Sequence, residues 1–219
     1  MGEPYNLFTG QSLERLTALS DGVFAVAMTL LVLDVRVPAS AALASSDHAL
    51  WGALLKLGPS FAAYLLSFTM LGTFWLAQHT LLGILGRCDR TLTWINLGFL
   101  FVVSLLPFSA ALLAHFVHLR LAVGVYWLNI LLLGAALEWS ARYGRTAFLP
   151  DRTGQAHTRL SIFRRRILLA QSLYALAALI CLISTPASVI ALAVVQLYFI
   201  VSPRLRGTWW QRRGGGPDD

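Results

Sequence analysis

The stretch Arg15–Val37, "RLTALSDGVFAVAMTLLVLDVRV", decides how this chain is read. Between Asp21 and Asp34 lie twelve residues, Gly22 to Leu33, with no charge and one polar side chain, Thr29. With its flanks the run approaches the roughly 20 apolar residues that cross a bilayer as a helix. At about 100° per residue, Leu19, Val23, Val26, Leu30, Leu33 and Val37 fall within about 60° of Val26, whereas Asp21 points about 140° away. The apolar face has no polar atom beyond Thr29 at its flank. Three environments suit such a face: lipid, neighbouring helices, or a pore whose apolar rings gate ions by dewetting. Periodicity alone does not choose among them.

The rest of the chain sets the class. Of 219 residues, 57% are hydrophobic and 12% charged, and the mean hydropathy is +0.68. An ordinary soluble domain is about 45–50% apolar and about 25% charged. The expectation is an all-α integral membrane protein of one domain. Residues 1–14 hold Glu3 and Glu14 but neither a basic nor an apolar leader region, so the first apolar helix is expected to be retained. Cys88 and Cys181 lie far apart and predict unpaired thiols, with no disulfide framework or metal spacing.

Six segments read as spans: 16–36, 50–77, 92–114, 120–139, 165–183 and 186–203. The last two are divided only by Ser184-Thr185-Pro186, and proline suits a helix's first turn but disfavours helix before it. They are expected to be two short antiparallel helices joined by a tight turn. If the N-terminus is cytoplasmic, 14 of the 17 basic residues fall on the same side, including Arg15, Arg87, Arg90, Arg142, Arg145 and Arg164. Only Arg36 and Arg120 lie outside, and Lys56 falls within the second span. The positive-inside rule then turns a net charge of +7 into a topology signal rather than a sign of nucleic acid. This gives a cytoplasmic segment 1–14, a transmembrane domain 15–203 and a cytoplasmic tail 204–219. The "FRRR" run at Phe163–Arg166 is expected to anchor the start of the fifth helix, with contact to anionic headgroups as the alternative. "WWQRRGGGPDD" reads as an interfacial Trp pair and a disordered tail.

Ionisable groups within spans are functional candidates: here Asp21, His79, Glu138 and Lys56. Glu138 and Lys56 fall near span ends, where snorkelling explains them. Asp21 and His79 suit either a proton relay or a satisfied buried hydrogen bond. Catalysis would need a converging nucleophile, base and oxyanion donors, or clustered metal ligands, and the chain offers too few polar residues for a membrane enzyme.

Arg15-Leu16-Thr17-Ala18-Leu19-Ser20-Asp21-Gly22, followed by "VFAVAMTLLVL", resembles the R-x-x-x-F-S-D-G motif and apolar stretch of the transmembrane protein 175 family of potassium channels, in its single-repeat prokaryotic form. Leu19 replaces the motif phenylalanine. "FWLAQHT" is similar to the family's F-W-x-x-H-H element through Phe74, Trp75 and His79, with Gln78 where the first histidine is usual. "WINLGFLFVVSLLPFSAALL" is similar to a third family pattern and supplies Asn96 and Pro107-Phe108. These motifs cover residues 15–115; beyond them only the six-span layout matches.

The resemblance implies a homotetramer in a bacterial-type plasma membrane, both termini cytoplasmic, six transmembrane helices per subunit and the first helices lining a central pore. Carried over, the narrowest part of that pore is built by Val26, Leu30 and Leu33, with Thr29 beside it tied to cation selectivity. Valine at 26, where isoleucine or leucine is common, removes a methylene per subunit. The implied permeant ion is K+, with no cofactor, no nucleic acid and no small-molecule substrate; the partners are the bilayer and further copies of the chain. Arg15, Ser20, Asp21, His79 and Asn96 are then expected to form a hydrogen-bonded hub that fixes the pore helix. The alternative is a secondary transporter or proton-coupled carrier using a buried Asp21/His79 pair, weakened by the absence of matching broken helices.

Overall fold

In the computed structural model proline and glycine mark some of the helix ends, Pro59 in the first turn of one helix and Gly86 at its C-cap, while Pro107 lies inside another. The structure describes residues 13–36, 46–149 and 154–211, with side chains through Val201. The described elements are all helical: α1 Leu13–Val32, α2 Asp47–Lys56, α3 Gly58–Leu85, α4 Arg90–His115, α5 Arg120–Phe148, α6 Gln155–Leu179, a 3-10 turn Ile180–Leu182, and α7 Thr185–Gln211. Five are long and apolar enough to cross a membrane: α1, α3, α4, α5, and α6 with its 3-10 turn. The sixth expected span falls in α7, whose described apolar part is Thr185–Val201.

Several boundaries differ from expectation, among them the end of α5, which runs to Phe148 rather than to 139. The segment 50–77 is not one helix: α2 stops at Lys56, and α3 begins with Pro59 in its first turn and runs to Leu85. Proline disfavours helical geometry in the residue before it, which starts a new helix there. Lys56 is therefore an exposed residue of the last turn of α2, outside the span proper. The Phe163–Arg166 run lies well inside α6 rather than at its start, because arginine is a good helix former and Arg164 is anchored. α1 stops at Val32, so Leu33 sits in a turn closed by Leu33 N–H donating to Leu30 O at 3.2 Å. The tail 212–219, Val37 and the first twelve residues lie outside the described residues.

Helix ends are capped. Asp89 caps α4, its carboxylate accepting from Leu92 N–H at 2.8 Å and from the Tyr143 hydroxyl of α5. Gly86 ends α3 at φ 62, a left-handed conformation that favours glycine. In this turn the Cys88 thiol is pushed up by burial and by the Asp89 carboxylate, against the lowering effect of its Thr93 hydrogen bond. Cys88 and Cys181 are both free. At the opposite end Thr185 Oγ1 donates to His118 O at 3.3 Å. The α3–α4 turn and the α5–α6 ends therefore share one pole, and the α4–α5 and α6–α7 turns the other.

α3 is the hub of the packing, touching α1, α4, α5, α6 and α7; α1 packs on α3 and α4. Phe24 and Phe99 meet with ring centroids 5.9 Å apart between α1 and α4. α5 and α6 approach at Gly134, where a Cβ would stand 1.7 Å from Gln171 Nε2. Glycine there leaves room for Gln171 to donate to Ile130 O at 3.2 Å.

Candidate pore helix and its polar anchor

α1 presents three faces. Leu16, Ser20, Phe24, Ala27 and Leu31 recur at three- and four-residue steps and are buried against α3 and α4. Centred about 120° round the helix is the expected apolar face. In the single chain it is open: Val26 is 58% exposed, Leu30 45% and Leu33 69%. Asp21 occupies a third direction and is exposed. Thr29 is exposed too, its hydroxyl donating to Val26 O at 2.8 Å, so its oxygen is held against the helix backbone. The fold thus uses one face of α1 and leaves the Val26/Leu30/Leu33 side free.

The buried face is fixed by a neutral cluster. Gln78 Nε2 on α3 donates to Ser20 Oγ at 2.8 Å and to Asn96 Oδ1 on α4 at 2.6 Å. Asn96 Nδ2 donates to Ser20 Oγ at 3.2 Å, and Ser20 in turn donates to Leu16 O at 2.8 Å. All three residues are at most 3% exposed. Satisfied polar groups of this kind, away from water, fix the relative rotation of helices, since any other arrangement strands a donor or acceptor.

Of the expected hub residues, the structure brings Ser20 and Asn96 together, through Gln78. Asp21 and His79 stand outside this cluster, and both are exposed in the single chain. Trp75 Nε1 donates to Asp21 Oδ1 at 2.7 Å. His79 lies beside the same indole, ring centroids 5.8 Å apart. Asp21 is therefore not a buried carboxylate, and no Asp21–His79 hydrogen bond forms. Arg15 is exposed in α1 and makes an interaction of its own. Gln78 could have been found by phase: Met70, Phe74, Gln78, Leu81 and Leu85 share one buried stripe of α3, and His79 is about 100° off it.

Two acidic residues find partners elsewhere. Asp34 Oδ2, just past α1, stands 3.8 Å from His115 Nδ1 at the end of α4. Glu138 does not snorkel. It is 8% exposed, and its Oε1 accepts from Arg142 Nε at 2.9 Å, Arg164 Nε at 3.0 Å and Arg164 Nη2 at 2.5 Å. Arg142, at i+4 on the same helix, was a legible partner; Arg164, on α6, was not.

Comparison with known proteins gives this arrangement its setting. A family model described as endosomal/lysosomal potassium channel TMEM175 matches residues 15–107. A potassium channel of Streptomyces collinus (strain DSM 40733 / Tue 365) is 34% identical over 84% of this chain and 90% of its own length. The crystal structure of a lysosomal potassium-selective channel TMEM175 homolog from Chamaesiphon minutus superposes with TM-score 0.76 at 29% identity, covering 87% of this chain and 97% of that one. The Gallus gallus endosomal/lysosomal proton channel TMEM175 is 32% identical over 52% of this chain and 24% of its own length. The family is a channel family and not an enzyme class. Matched over nearly its whole length, this all-helical chain belongs to the TMEM175 family of channels.

Proposed function

We propose that the chain is a potassium-permeable channel in which four copies of α1 surround a central path. One observation carries the reading. α1 is locked into its own subunit through Ser20, Gln78 and Asn96, yet Val26, Leu30 and Leu33 remain open on another face. Four such faces converging on an axis form apolar rings, and a ring of branched side chains too narrow to stay wet blocks ions until the helices move apart. Val26 and Leu30 are the helical layers. Leu33, in the turn that ends α1, forms the outermost layer, close to Asp34 and His115. Thr29 flanks the constriction.

The basic residues support an orientation. Arg87 and Arg90 at the α3–α4 turn, Arg142 and Arg145 late in α5, and Arg159 and Arg164–Arg166 early in α6 gather at one pole. That pole is assigned to the cytoplasm of a bacterial-type plasma membrane, and with it both termini. The carrier alternative gains nothing from the geometry, since α1 and α3 run unbroken through Asp21 and His79.

Liposome flux tests the channel. The wild-type protein should pass K+ without saturation, and Leu30→Ala should raise the basal leak or reduce preference for K+ over Na+. No flux from wild type, with none in Leu30→Ala, overturns the reading.

A further inference from the structure

α3 has a back as well as a front. While Trp75 and Gln78 face α1, the opposite side of α3 borders a cavity of about 540 Å³. Its walls include Phe68 and Leu76 of α3, Leu137 of α5, Phe163 and Ala170 of α6, and Phe199 of α7. This lies within the about 300–1,000 Å³ of typical ligand pockets, and such a space in a bilayer fills with hydrocarbon. Its threonine hydroxyls are turned inward. Thr73 Oγ1 donates to Thr69 O and accepts from Gln196, and Thr80 Oγ1 donates to Leu76 O.

Among the described residues, one charged side chain borders this apolar groove, and it is a cation. Arg166 places its guanidinium 5.9 Å from the Phe199 ring centroid, and its Nη2 donates to Phe199 O at 3.4 Å. The aromatic face and the carbonyl hold the planar group at the groove's edge while it remains exposed. Its surroundings are one-signed. α6 carries Arg159, Arg164, Arg165 and Arg166 with no acid, and the nearby acid Glu138 is already bound by Arg164 and Arg142. An apolar slot ending at a positive rim matches an acyl chain ending at a phosphodiester.

We propose that this groove binds one anionic glycerophospholipid from the leaflet at the basic pole, an acyl chain between α3 and α6 and the phosphate paired with Arg166. A planar guanidinium suits bidentate phosphate recognition, and Arg159 and Arg165 add to the local positive field. The occupant braces the back of α3, the helix whose front holds α1.

The test uses the full-length protein purified in detergent and titrated with phosphatidylglycerol or phosphatidylcholine, with retained lipid read by native mass spectrometry. Wild type should retain phosphatidylglycerol preferentially. Arg166→Gln should weaken that preference about fivefold, the loss of one basic residue's attraction, and Arg166→Lys, which keeps the charge but loses the planar fork, should weaken it less. Ala170→Leu, which narrows the slot and leaves the charge, should weaken retention of both lipids. Equal retention of the two lipids by wild type overturns the proposal. So does an unchanged preference in Arg166→Gln, or undiminished retention in Ala170→Leu. Should Arg166→Gln fail to fold, Arg166→Lys and Ala170→Leu decide the matter with the wild-type preference.

Discussion

Two of the buried polar nodes of this bundle are built on opposite principles. Ser20, Gln78 and Asn96 join α1, α3 and α4 without a formal charge, and no buried atom of the three lacks a partner. Glu138, Arg142 and Arg164 join α5 to α6 with one negative and two positive groups, and Glu138 Oε2 is buried with no partner. The neutral node is directional: it fixes how α1 is rotated, and so where Val26 and Leu30 point. The charged node is an electrostatic clamp whose members are costly to separate, because a single buried charge has nothing to offset its desolvation. The neutral node lies under the proposed pore helix, and the clamp joins α5 to α6.

The largest expected effect breaks the clamp. Glu138→Ala leaves Arg164, whose side chain is 21% exposed, without its carboxylate, and should cost about 3–5 kcal/mol. Arg142 is 66% exposed, so Arg142→Ala should cost no more than about 1 kcal/mol. Thermal unfolding in detergent compares them; equal losses would mean that burial does not govern this node. Next comes the neutral node. Gln78→Ala removes the donor shared by Ser20 and Asn96 and should cost about 1–3 kcal/mol. Combined with Asn96→Ala, the losses should be strongly non-additive, since both act on one network. In flux assays Gln78→Ala should also disturb basal K+ leak, whereas Glu138→Ala at matched folded protein should not. A Gln78→Ala channel with wild-type conductance would separate the node from the pore.

How far this was legible follows from the reach of each signal. The three-faced α1 could be read because helical phase is local: Leu16, Ser20, Phe24, Ala27 and Leu31 recur within 16 residues and Val26, Leu30 and Leu33 within eight. The break at Pro186 was read from the same local chemistry, and the break at Pro59 was equally available but hidden by the apolar residues around it. Gln78 was masked by His79, the neighbour with the more conspicuous side chain, although phase along α3 separates them. Nothing local could place Arg164 against Glu138, 26 residues apart. That depends on how α5 and α6 pack, as does the groove behind α3, which draws on four helices.

The smallest effect lies at Asp21, one residue from the neutral node and outside it. Trp75 Nε1–H donates to Asp21 Oδ1 at 2.7 Å on an exposed surface of the single chain. Asp21→Asn keeps a carbonyl oxygen for the indole and should leave unfolding almost unchanged. Asp21→Ala removes the acceptor and should cost about 0.5–1.5 kcal/mol, the worth of one hydrogen bond. Its location makes a second measurement more informative. If copies of the chain meet over this surface, Asp21→Ala will lower the tetramer fraction in native mass spectrometry by more than its unfolding cost implies, because Trp75 loses its partner where two subunits press together. Asp21→Asn will restore that fraction. A tetramer as stable in Asp21→Ala as in wild type would leave Ser20, Gln78 and Asn96 as the whole of the anchor.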